Sequence, residues 1–435
     1  MNTFLQPGPQ AIQPTAMRKM NQLSLLSLIM EHGPISRTGL ARLSRLSKPT
    51  VSAQVQSLIQ KGLVSATGLG ESGRRGGKKP THLEFNAKYG CLAVGEIDSL
   101  ETRLAVTDLK GTIITHTEFV TQTELGAESI IERLQQRLGK LLATSVGTEK
   151  LCLIAVAAPG RVDVDRGVVL EAGNIFDWKS VAVSDALASA FKAPVLVDNC
   201  VNLAALAEMN YGVAKGVDDF VLVHHDTGIG CGVVMGGRLH RGSNWCAGEI
   251  AHFIFDLNEA RKDWMPRGYL EMQVGADRVC ERARRAHALH ELAPRSGNGS
   301  GELAALFRAW KRGHAPSRQI VDELVLQLGL AIAHVAATYD PSLIVLQGEI
   351  FPWLFEEIEP VVKRAVPWLP RLALSGLGKD AALRGAIVAA QAQAHEEIAR
   401  AMSEGAVHLK KQDDRSNYQF SRLRFALGNV GSRAS

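Results

Sequence analysis

The sequence has little that would place the protein in a membrane or outside the cell. It shows no apolar run of the length needed to span a bilayer. Residues 1–16 carry no charge and lack the basic and apolar regions of a secretory signal, so we expect them to form a flexible arm. Six cysteines are scattered without CxxC spacing, which excludes a disulfide framework and is typical of reduced core residues in a cytoplasmic protein.

The length of the chain and the distribution of its charge indicate more than one domain. A chain of 435 residues is too long for a single hydrophobic core, and two or three domains are expected. The formal net charge is +5, yet residues 17–80 contain eleven lysines and arginines and only two glutamates. The positive charge is therefore concentrated near the N-terminus, as expected of a nucleic-acid-binding module on a near-neutral partner domain. Residues 399–435 are predicted to form a polar tail.

Residues 35–52, ISRTGLARLSRLSKPTVS, predict two short helices joined by a tight turn. Ser36 and Ser47 precede apolar residues at helical spacing and are suited to cap the two helices. Pro49 falls in the first turn of the second helix, where its missing N–H costs nothing. The polar side chains that follow suit base edges and phosphates, which favours a helix-turn-helix bound to double-stranded DNA over a helical hairpin without that role. The predicted contacts are Ser36, Arg37, Lys48, Pro49, Thr50, Ser52 and Gln54.

A basic, glycine-rich loop follows this helix between two predicted strands. One strand starts near Val64 and Thr81–Phe85 is the returning strand, so residues 17–85 are predicted to form a winged helix-turn-helix domain. A narrow minor groove attracts arginine and lysine through its concentrated negative potential. A solvated hairpin tip without DNA contact is the alternative. The wing residues predicted to contact DNA are Arg74, Arg75, Lys78 and Lys79.

From Cys91 onward the pattern changes to short β-rich runs separated by helical segments. Three antiparallel strands followed by a helix–strand–helix unit are predicted twice, once from CLAVGEI and again from FVLVHH. This is the plan of the duplicated α/β fold of sugar kinases and actin, in which two lobes close on a ligand.

Six motifs then stand in a specific order: GGKKP, APGRVD, GNIFDW, VDNCVNLAALAE, DTGIGCGVVMGGRLHRG and AGEIAH. Together they resemble the ROK family (repressors, open reading frames and kinases), in particular its winged-helix transcriptional regulators, over roughly residues 17–398. The resemblance implies a sugar-kinase-like sensor domain at residues 88–398. Lobe one would comprise about 88–205 and 378–398, and lobe two about 206–377. It also implies a homodimer or homotetramer.

The sequence departs from the sugar kinases of this family at three places in their active site. The glycine-rich first phosphate loop is reduced to Gly95 within GEIDSLETR, and the adenosine loop is reduced to residues 347–349. Cys200 occupies the position of the catalytic aspartate, and no activator for its thiol is evident nearby. We therefore expect no enzymatic activity and no cofactor. An active sugar kinase with an appended DNA-binding domain is the alternative.

The resemblance also implies a structural zinc site built from one histidine and three cysteines. His252 is present, but Lys262, Trp264 and Tyr269 occupy the three cysteine positions. Because a lone histidine does not hold a structural zinc, we expect no metal, and we expect Trp264 and Tyr269 to replace the metal by packing.

Residues that contact sugar hydroxyls in relatives are partly retained. Carboxylate, amide and imidazole groups can pair with vicinal hydroxyls, although each residue could instead serve as a cap, a turn or a lobe contact. The ligand-binding residues implied by the resemblance are Asn174, Asn199, Glu249, His252 and Glu271. We thus expect a repressor of carbohydrate uptake or catabolism genes whose inactive kinase-like domain senses a sugar or sugar derivative. A constitutive DNA-binding protein with a vestigial cleft is a further alternative.

Overall fold

The structure is a computed structural model that describes residues 14–69, 81–145, 150–173, 175–288 and 300–404. These residues fall into two compact units. The first unit comprises the chain up to residue 91, residues 108–112 and the chain from residue 391. The second unit comprises residues 92–107 and 113–390.

The first unit is built around a helix-turn-helix and a three-stranded antiparallel sheet of order β1-β3-β2. Leu25, Ile29, Leu40, Val55 and Leu58 are fully or almost fully buried in its core. This is the predicted winged helix-turn-helix, with one addition, the short strand β1. Its elements are α1 (Pro14–His32), β1 (Ile35–Ser36), α2 (Arg37–Ser44), α3 (Lys48–Gln60), β2 (Val64–Leu69) and β3 (Thr81–Phe85).

Both predicted helix caps are confirmed. The Ser36 hydroxyl accepts a hydrogen bond from the backbone N–H of Gly39 at 3.1 Å, and the Ser47 hydroxyl accepts one from Thr50 at 3.3 Å. Helix α1 begins at Pro14, so the last three residues of the predicted arm belong to the helix. A proline is compatible with the first turn of a helix, which explains why it does not delay the start.

The second unit contains two five-stranded sheets. The first sheet and its helices are β4 (Cys91–Ile97), β5 (Glu101–Asp108), β6 (Ile113–Val120), α4 (Gly126–Ser145), β7 (Leu151–Ala158), α5 (Val183–Phe191) and β11 (Val195–Asn199). A small sheet that was not predicted lies between β7 and α5 in sequence and consists of β8 (Arg161–Asp163), β9 (Val168–Glu171) and β10 (Lys179–Val181).

The second sheet follows after α6 (Cys200–Tyr211). Its strands are β12 (Phe220–His225), β13 (Ile229–Met235), β14 (Arg238–Leu239), β15 (Leu343–Gln347) and β16 (Arg371–Leu374). Its helices are α7 (Tyr269–Val274), α8 (Ala276–Arg285), α9 (Ser300–Lys311), α10 (Ala315–Tyr339) and α11 (Phe351–Ala365), and the chain continues into α12 (Ala381–Glu404).

The two sheets have the same strand order, which confirms the predicted duplication. The first runs β11-β7-β4-β5-β6 and the second β16-β15-β12-β13-β14. In each repeat the first strand lies at the centre, the second and third lie on one side, and the fourth and fifth lie on the other. The last two strands pair in parallel in both sheets.

Helix α10 corrects the expectation that the chain has no apolar segment long enough to cross a membrane. Among the described helices it alone meets the length and composition of a membrane span. Leu324, Leu328 and Ile332 of this helix are fully buried in the core formed around the second sheet, whereas Leu326 is 50% exposed. The helix is apolar because it is packed on several sides.

Helix α12 passes from the second unit into the first. Its residues up to 390 belong to the second unit and those from Gln391 belong to the first, where the His395 ring packs edge-on against Phe85 with centroids 5.4 Å apart. Gln391 donates a hydrogen bond to the Leu109 carbonyl at 3.4 Å. The helix continues to Glu404, past the predicted start of the tail at residue 399.

Candidate nucleic-acid interface and ligand cavity

The N-terminal half of α3 presents a polar, uncovered face. Lys48, Pro49 and Ser52 are exposed, and half-buried Thr50 is held at the start of the helix by a 2.8 Å hydrogen bond between its hydroxyl and that of Ser47. In α2, Arg37 is half-buried, as is its cap Ser36. These side chains stand where a recognition helix and its preceding turn would meet DNA.

Gln54 is a correction to the predicted contact set. Its side chain is only 7% exposed, so it lies with the core rather than on the polar face. The helical period accounts for this position, because Gln54 lies three residues after Val51 and four before Leu58, on the buried stripe of α3. The apolar spacing in the sequence could have revealed it.

The wing residues Arg74, Arg75, Lys78 and Lys79 lie outside the described residues, and their DNA contacts stay a prediction. The strands that flank them are described, and they pair in antiparallel register from Val64 with Phe85 to Leu69 with Thr81.

A cavity of about 510 Å³ lies in the second unit and is lined by residues of both sheets. Asn199, Glu249, His252 and Glu271 all line it. The structure therefore brings together four of the five predicted ligand-binding residues, which come from segments up to 72 residues apart. Asn174 lies outside the described residues. Trp178, from the same motif, is 2% exposed and buried.

Glu249 is the most available carboxylate of this predicted set. Within the described parts of the chain, no hydrogen bond or ion pair holds its carboxylate. Burial raises the pKa of Glu249, and the nearby Glu271 raises it further, whereas Arg161 opposes the shift. A carboxylate that is partly desolvated and without a protein partner is suited to accept hydrogen bonds from ligand hydroxyls.

Glu271 is held in place by its neighbours. Arg267 Nε donates to Glu271 Oε1 at 2.7 Å, and the Ile229 backbone N–H donates to Oε2 at 3.4 Å. Burial raises the pKa of Glu271, although Arg267 opposes this. A Cβ at Gly228 would stand 2.6 Å from Glu271 Oε2, so the glycine of the DTGIG motif makes room for this carboxylate.

Asn199 already has a structural role at the start of α6. Its Oδ1 accepts hydrogen bonds from the backbone N–H groups of Val201 at 2.8 Å and Asn202 at 3.1 Å, and its Nδ2 donates to the Gly160 carbonyl at 2.7 Å. This is an N-cap, the alternative that the sequence left open. One Nδ2 hydrogen remains for a ligand, since the amide nitrogen carries two.

A buried ion pair next to Asn199 joins β11 to the segment that follows β14. Arg241 Nε and Nη2 donate to Asp198 Oδ2 at 3.0 and 2.6 Å, and the Asp198 side chain is 2% exposed. The sequence does not reveal this pair. The only signal available was an aspartate at the end of an apolar strand, which does not identify its partner.

Cys200 lies in the first turn of α6 and lines the cavity. Burial raises the pKa of its thiol well above the usual range, and Glu96 and Asp98 raise it further. A thiol in that state remains protonated at neutral pH and is a poor general base. Both ends of the Gln347 amide are engaged, because its Oε1 accepts from His224 Nδ1 at 3.2 Å and its Nε2 donates to the Gly378 carbonyl at 2.9 Å.

The positions of the lost zinc ligands are filled by side-chain packing. Trp264 and Tyr269 contact edge-on with ring centroids 5.2 Å apart, and Trp264 Nε1 donates to the Glu259 carbonyl at 2.9 Å. Gly268 has a φ of +90°, and a Cβ there would stand 2.8 Å from His252 Nδ1. The expected aromatic packing is thus present, and His252 stands exposed at the cavity wall.

Comparisons with known proteins agree with this architecture. The sequence profile of the ROK family matches residues 90–393, and that of the MarR family matches residues 18–75. The xylose repressor of Bacillus spizizenii is 27% identical over 387 residues, which cover 85% of this chain and 94% of that protein. The xylose repressor of Bacillus subtilis is 30% identical over 262 residues, which cover 59% of this chain and 66% of that protein, just under two thirds of its length.

A solved structure shares the fold over most of the chain. It is a ROK family transcriptional regulator described as a homologue of the Escherichia coli MLC protein, and it matches with a TM-score of 0.70 at 24% identity, covering 90% of this chain and 100% of its own. Because the ROK profile covers well over half of the sequence, the protein belongs to the ROK family, and its N-terminal winged helix is of the MarR type.

Proposed function

We propose that the protein is a cytoplasmic, DNA-binding transcriptional repressor that responds to a sugar. One observation carries the proposal. A single chain joins a winged helix with an uncovered polar α3 face to a kinase-like unit whose cavity is lined by four side chains suited to pair with hydroxyls and by the Cys200 thiol. Two relatives named as xylose repressors support an unmodified aldose as the class of effector.

DNA would be read by α3 in the major groove. Lys48 and Ser52 are exposed near its N-terminal end, where a recognition helix meets base edges and phosphates. The wing would add phosphate or minor-groove contacts through Arg74, Arg75, Lys78 and Lys79.

Binding to DNA selected from genomic fragments tests this role. Lys48→Ala should weaken binding and reduce the log–log salt slope by about one, because one phosphate contact is lost. Lys140→Ala removes an exposed lysine of α4 and is the matched control, expected to leave affinity unchanged. Equal behaviour of the two variants would contradict the assignment of α3. The Arg74→Ala/Arg75→Ala double variant tests the wing in the same assay.

The sensor role depends on the cavity. Glu249→Gln should weaken sugar binding roughly 5- to 150-fold, the effect of leaving polar partners unpaired by about 1–3 kcal/mol, and should abolish the sugar's effect on DNA binding. Affinity for DNA without sugar should not change. Glu128→Gln, at an exposed position of α4, is the control. A response to sugar that survives Glu249→Gln would remove this residue from the site.

Catalytic inactivity is a separate part of the proposal. The protonated Cys200 thiol and the absence of a glycine-rich first phosphate loop in the sequence both support it. Cys200→Asp alone should not create a kinase, because the phosphate loop would still be missing. Sugar-dependent ATP turnover by the unmodified protein would overturn this part and favour the active kinase.

The protein would act as a homodimer or homotetramer, since winged-helix regulators commonly read two half-sites. Closure of the two lobes on a sugar would change the spacing of the paired winged helices. A ligand shifts DNA affinity only through its different affinities for the two arrangements. Sedimentation with and without sugar measures the assembly state, and a monomer that still protects two half-sites would contradict this arrangement.

A further inference from the structure

Arg161 differs from the other arginines that line the cavity. It is the first residue of β8, and its half-buried side chain belongs to the cavity wall. In the described parts of the chain, no nitrogen of Arg161 comes within 4.0 Å of a carboxylate oxygen. The other three arginines of the lining each pair with a carboxylate: Arg103 with Glu96 at 2.8 Å, Arg241 with Asp198 at 2.6 Å and Arg267 with Glu271 at 2.7 Å.

The guanidinium of Arg161 has most of its hydrogen-bonding capacity left. Among the described residues its side chain makes one hydrogen bond, from Nη1 to Cys246 Sγ at 3.7 Å. Sulfur is a weak acceptor, and a guanidinium carries five N–H donors. A half-buried cation in this state has lost part of its water without gaining a strong partner, so a ligand that supplies an acceptor would be favoured.

Hydrogen bonds place Arg161 beside two residues that are predicted to bind the ligand. Asn199 Nδ2 donates to the Gly160 carbonyl at 2.7 Å, which fixes the peptide preceding Arg161 to the start of α6. The carbonyl of Cys246, whose sulfur accepts from Arg161, accepts a hydrogen bond from the Glu249 backbone N–H at 3.3 Å. Arg161 therefore contacts the short segment that carries Glu249.

Arg161 and Glu249 are near each other without forming an ion pair. Burial and Glu271 raise the pKa of Glu249, and the charge of Arg161 opposes this rise, so the two groups are within electrostatic range. Their nitrogen and oxygen atoms are nevertheless more than 4.0 Å apart. A hydroxyl that accepts from an N–H and donates to a carboxylate bridges a separation of about 4.5–5.5 Å, because each hydrogen bond is about 2.8 Å long.

Glu171 is a second carboxylate that such a hydroxyl could use. It lies opposite Arg161 in the pairing of β8 with β9, and it also lines the cavity. It belongs to the small sheet, whereas Glu249 belongs to the segment that Arg161 contacts through Cys246. That contact favours Glu249, and a variant of Glu171 separates the two.

We propose that Arg161 is a specificity-determining residue that selects a sugar by one hydroxyl, which accepts a hydrogen bond from Arg161 and donates one to Glu249. A hydroxyl suits this place because it is donor and acceptor at once. A sugar without it would leave a guanidinium and a carboxylate unpaired, and sites of this kind reject such analogues strongly. The inference rests on the proposed sugar-sensing function and adds to it a residue that recognises the ligand.

Calorimetry on the full-length protein with xylose, glucose and the monodeoxy derivatives of each tests this role. In the unmodified protein, removal of one particular hydroxyl should weaken binding about 10-fold or more. Arg161→Met should weaken binding of the parent sugar and lose most of the discrimination against that deoxy sugar. Glu249→Gln should lose discrimination at the same hydroxyl, because one hydroxyl contacts both side chains.

Arg166→Met is the matched control, because Arg166 is an exposed arginine of the β8–β9 turn and lies outside the cavity lining. It should change neither affinity nor discrimination. Arg161→Lys keeps the charge without the planar fork and should retain part of the discrimination. Glu171→Gln should keep all of it. Circular dichroism checks that each variant is folded.

Two results would overturn the role of Arg161 while leaving sugar sensing intact. One is a bound sugar whose deoxy derivatives are discriminated equally by Arg161→Met and the unmodified protein. The other is discrimination that is lost in Glu171→Gln and kept in Glu249→Gln. Glucuronate bound more tightly than glucose would also overturn it, since Arg161 would then pair with a ligand carboxylate. Absence of binding by both parent sugars would contradict the proposed sugar sensing itself, and this role with it.

Discussion

The first turns of the two sheets have the same length and place in the fold but different chemistry. Both connect a central strand to its antiparallel neighbour through three residues. The β12–β13 turn, residues 226–228, contains Gly228, because a side chain there would collide with Glu271. The β4–β5 turn has Asp98-Ser99-Leu100 and no glycine, and no residue within it takes a positive φ. The strand order is thus retained in both lobes, while the groups offered to a ligand differ.

The residues that maintain the fold are different from the residues that a ligand would contact. Buried β-branched and leucine side chains in β4, β12 and β15 specify the sheets. Four of the six turn residues, Asp98, Asp226, Thr227 and Gly228, line the cavity. These side chains can therefore differ between the two turns while the strand order stays the same.

The largest effect is expected from breaking the ion pair between Asp198 and Arg241. Arg241→Met would leave Asp198 charged, buried and without its cation, at a cost of about 3–5 kcal/mol in the free energy of unfolding. Urea denaturation measures this. Arg285→Met is the control, since Arg285 is 77% exposed and pairs with Glu281 at the surface, where such pairs contribute less than about 1 kcal/mol. Similar losses for both variants would show that Asp198 has another compensating partner.

A smaller loss is expected from filling the space that a glycine keeps in the second sheet. A Cβ at Gly232 would stand 2.7 Å from the Val201 carbonyl oxygen and 2.7 Å from Ala205 Cβ, so Gly232→Val should cost about 1–3 kcal/mol by forcing α6 away from β13. Two residues earlier, a Cβ at Gly230 would meet only Val201 Cγ2 at 3.7 Å. Gly230→Ala should therefore be nearly neutral in thermal unfolding, and equal losses would contradict the packing described.

Local signals in the sequence predicted the elements well. The caps at Ser36 and Ser47 and the strand Thr81–Phe85 depend on neighbours a few residues away, and the structure has them as predicted. Repetition of one strand pattern was enough to predict the duplicated fold. Gln54 is polar and was therefore predicted to contact DNA, but its position on the apolar stripe of α3 places its side chain in the core.

Tertiary pairings were beyond the reach of those signals. Asp198 and Arg241 are 43 residues apart, and Ser99 and Thr227 are 128 apart, so nothing in either segment indicates its partner. The four cavity residues were found only through a resemblance that already contained the fold. Asp98 and Asp226 are visible in the sequence as the acidic residues of the two turns. That the two turns lie close together depends on the arrangement of both sheets.

The smallest expected effect is on the pH dependence of stability, through the charge of Asp226 in the β12–β13 turn. Because burial and nearby carboxylates raise the folded-state pKa of Asp226, the folded protein holds this proton more tightly than the unfolded chain. The stability that this group contributes is therefore present at low pH and is lost as pH rises from about 4, its usual value, through the raised pKa. Asparagine cannot ionise, so Asp226→Asn should gain stability over the unmodified protein as pH rises through that window. The gain should grow with pH until the unmodified carboxyl is fully ionised.

Urea denaturation of Asp226→Asn and the unmodified protein at pH 5 and pH 8 measures this difference, with Asp165→Asn, at an exposed position, as the control for a change in net charge. The repulsion between the two turns predicts that Asp98→Asn removes part of the same penalty, so the double variant should gain less than the sum of the two single variants. Strict additivity would show that the charges of Asp98 and Asp226 do not interact. Each aspartate would then affect the stability of the fold independently of the other.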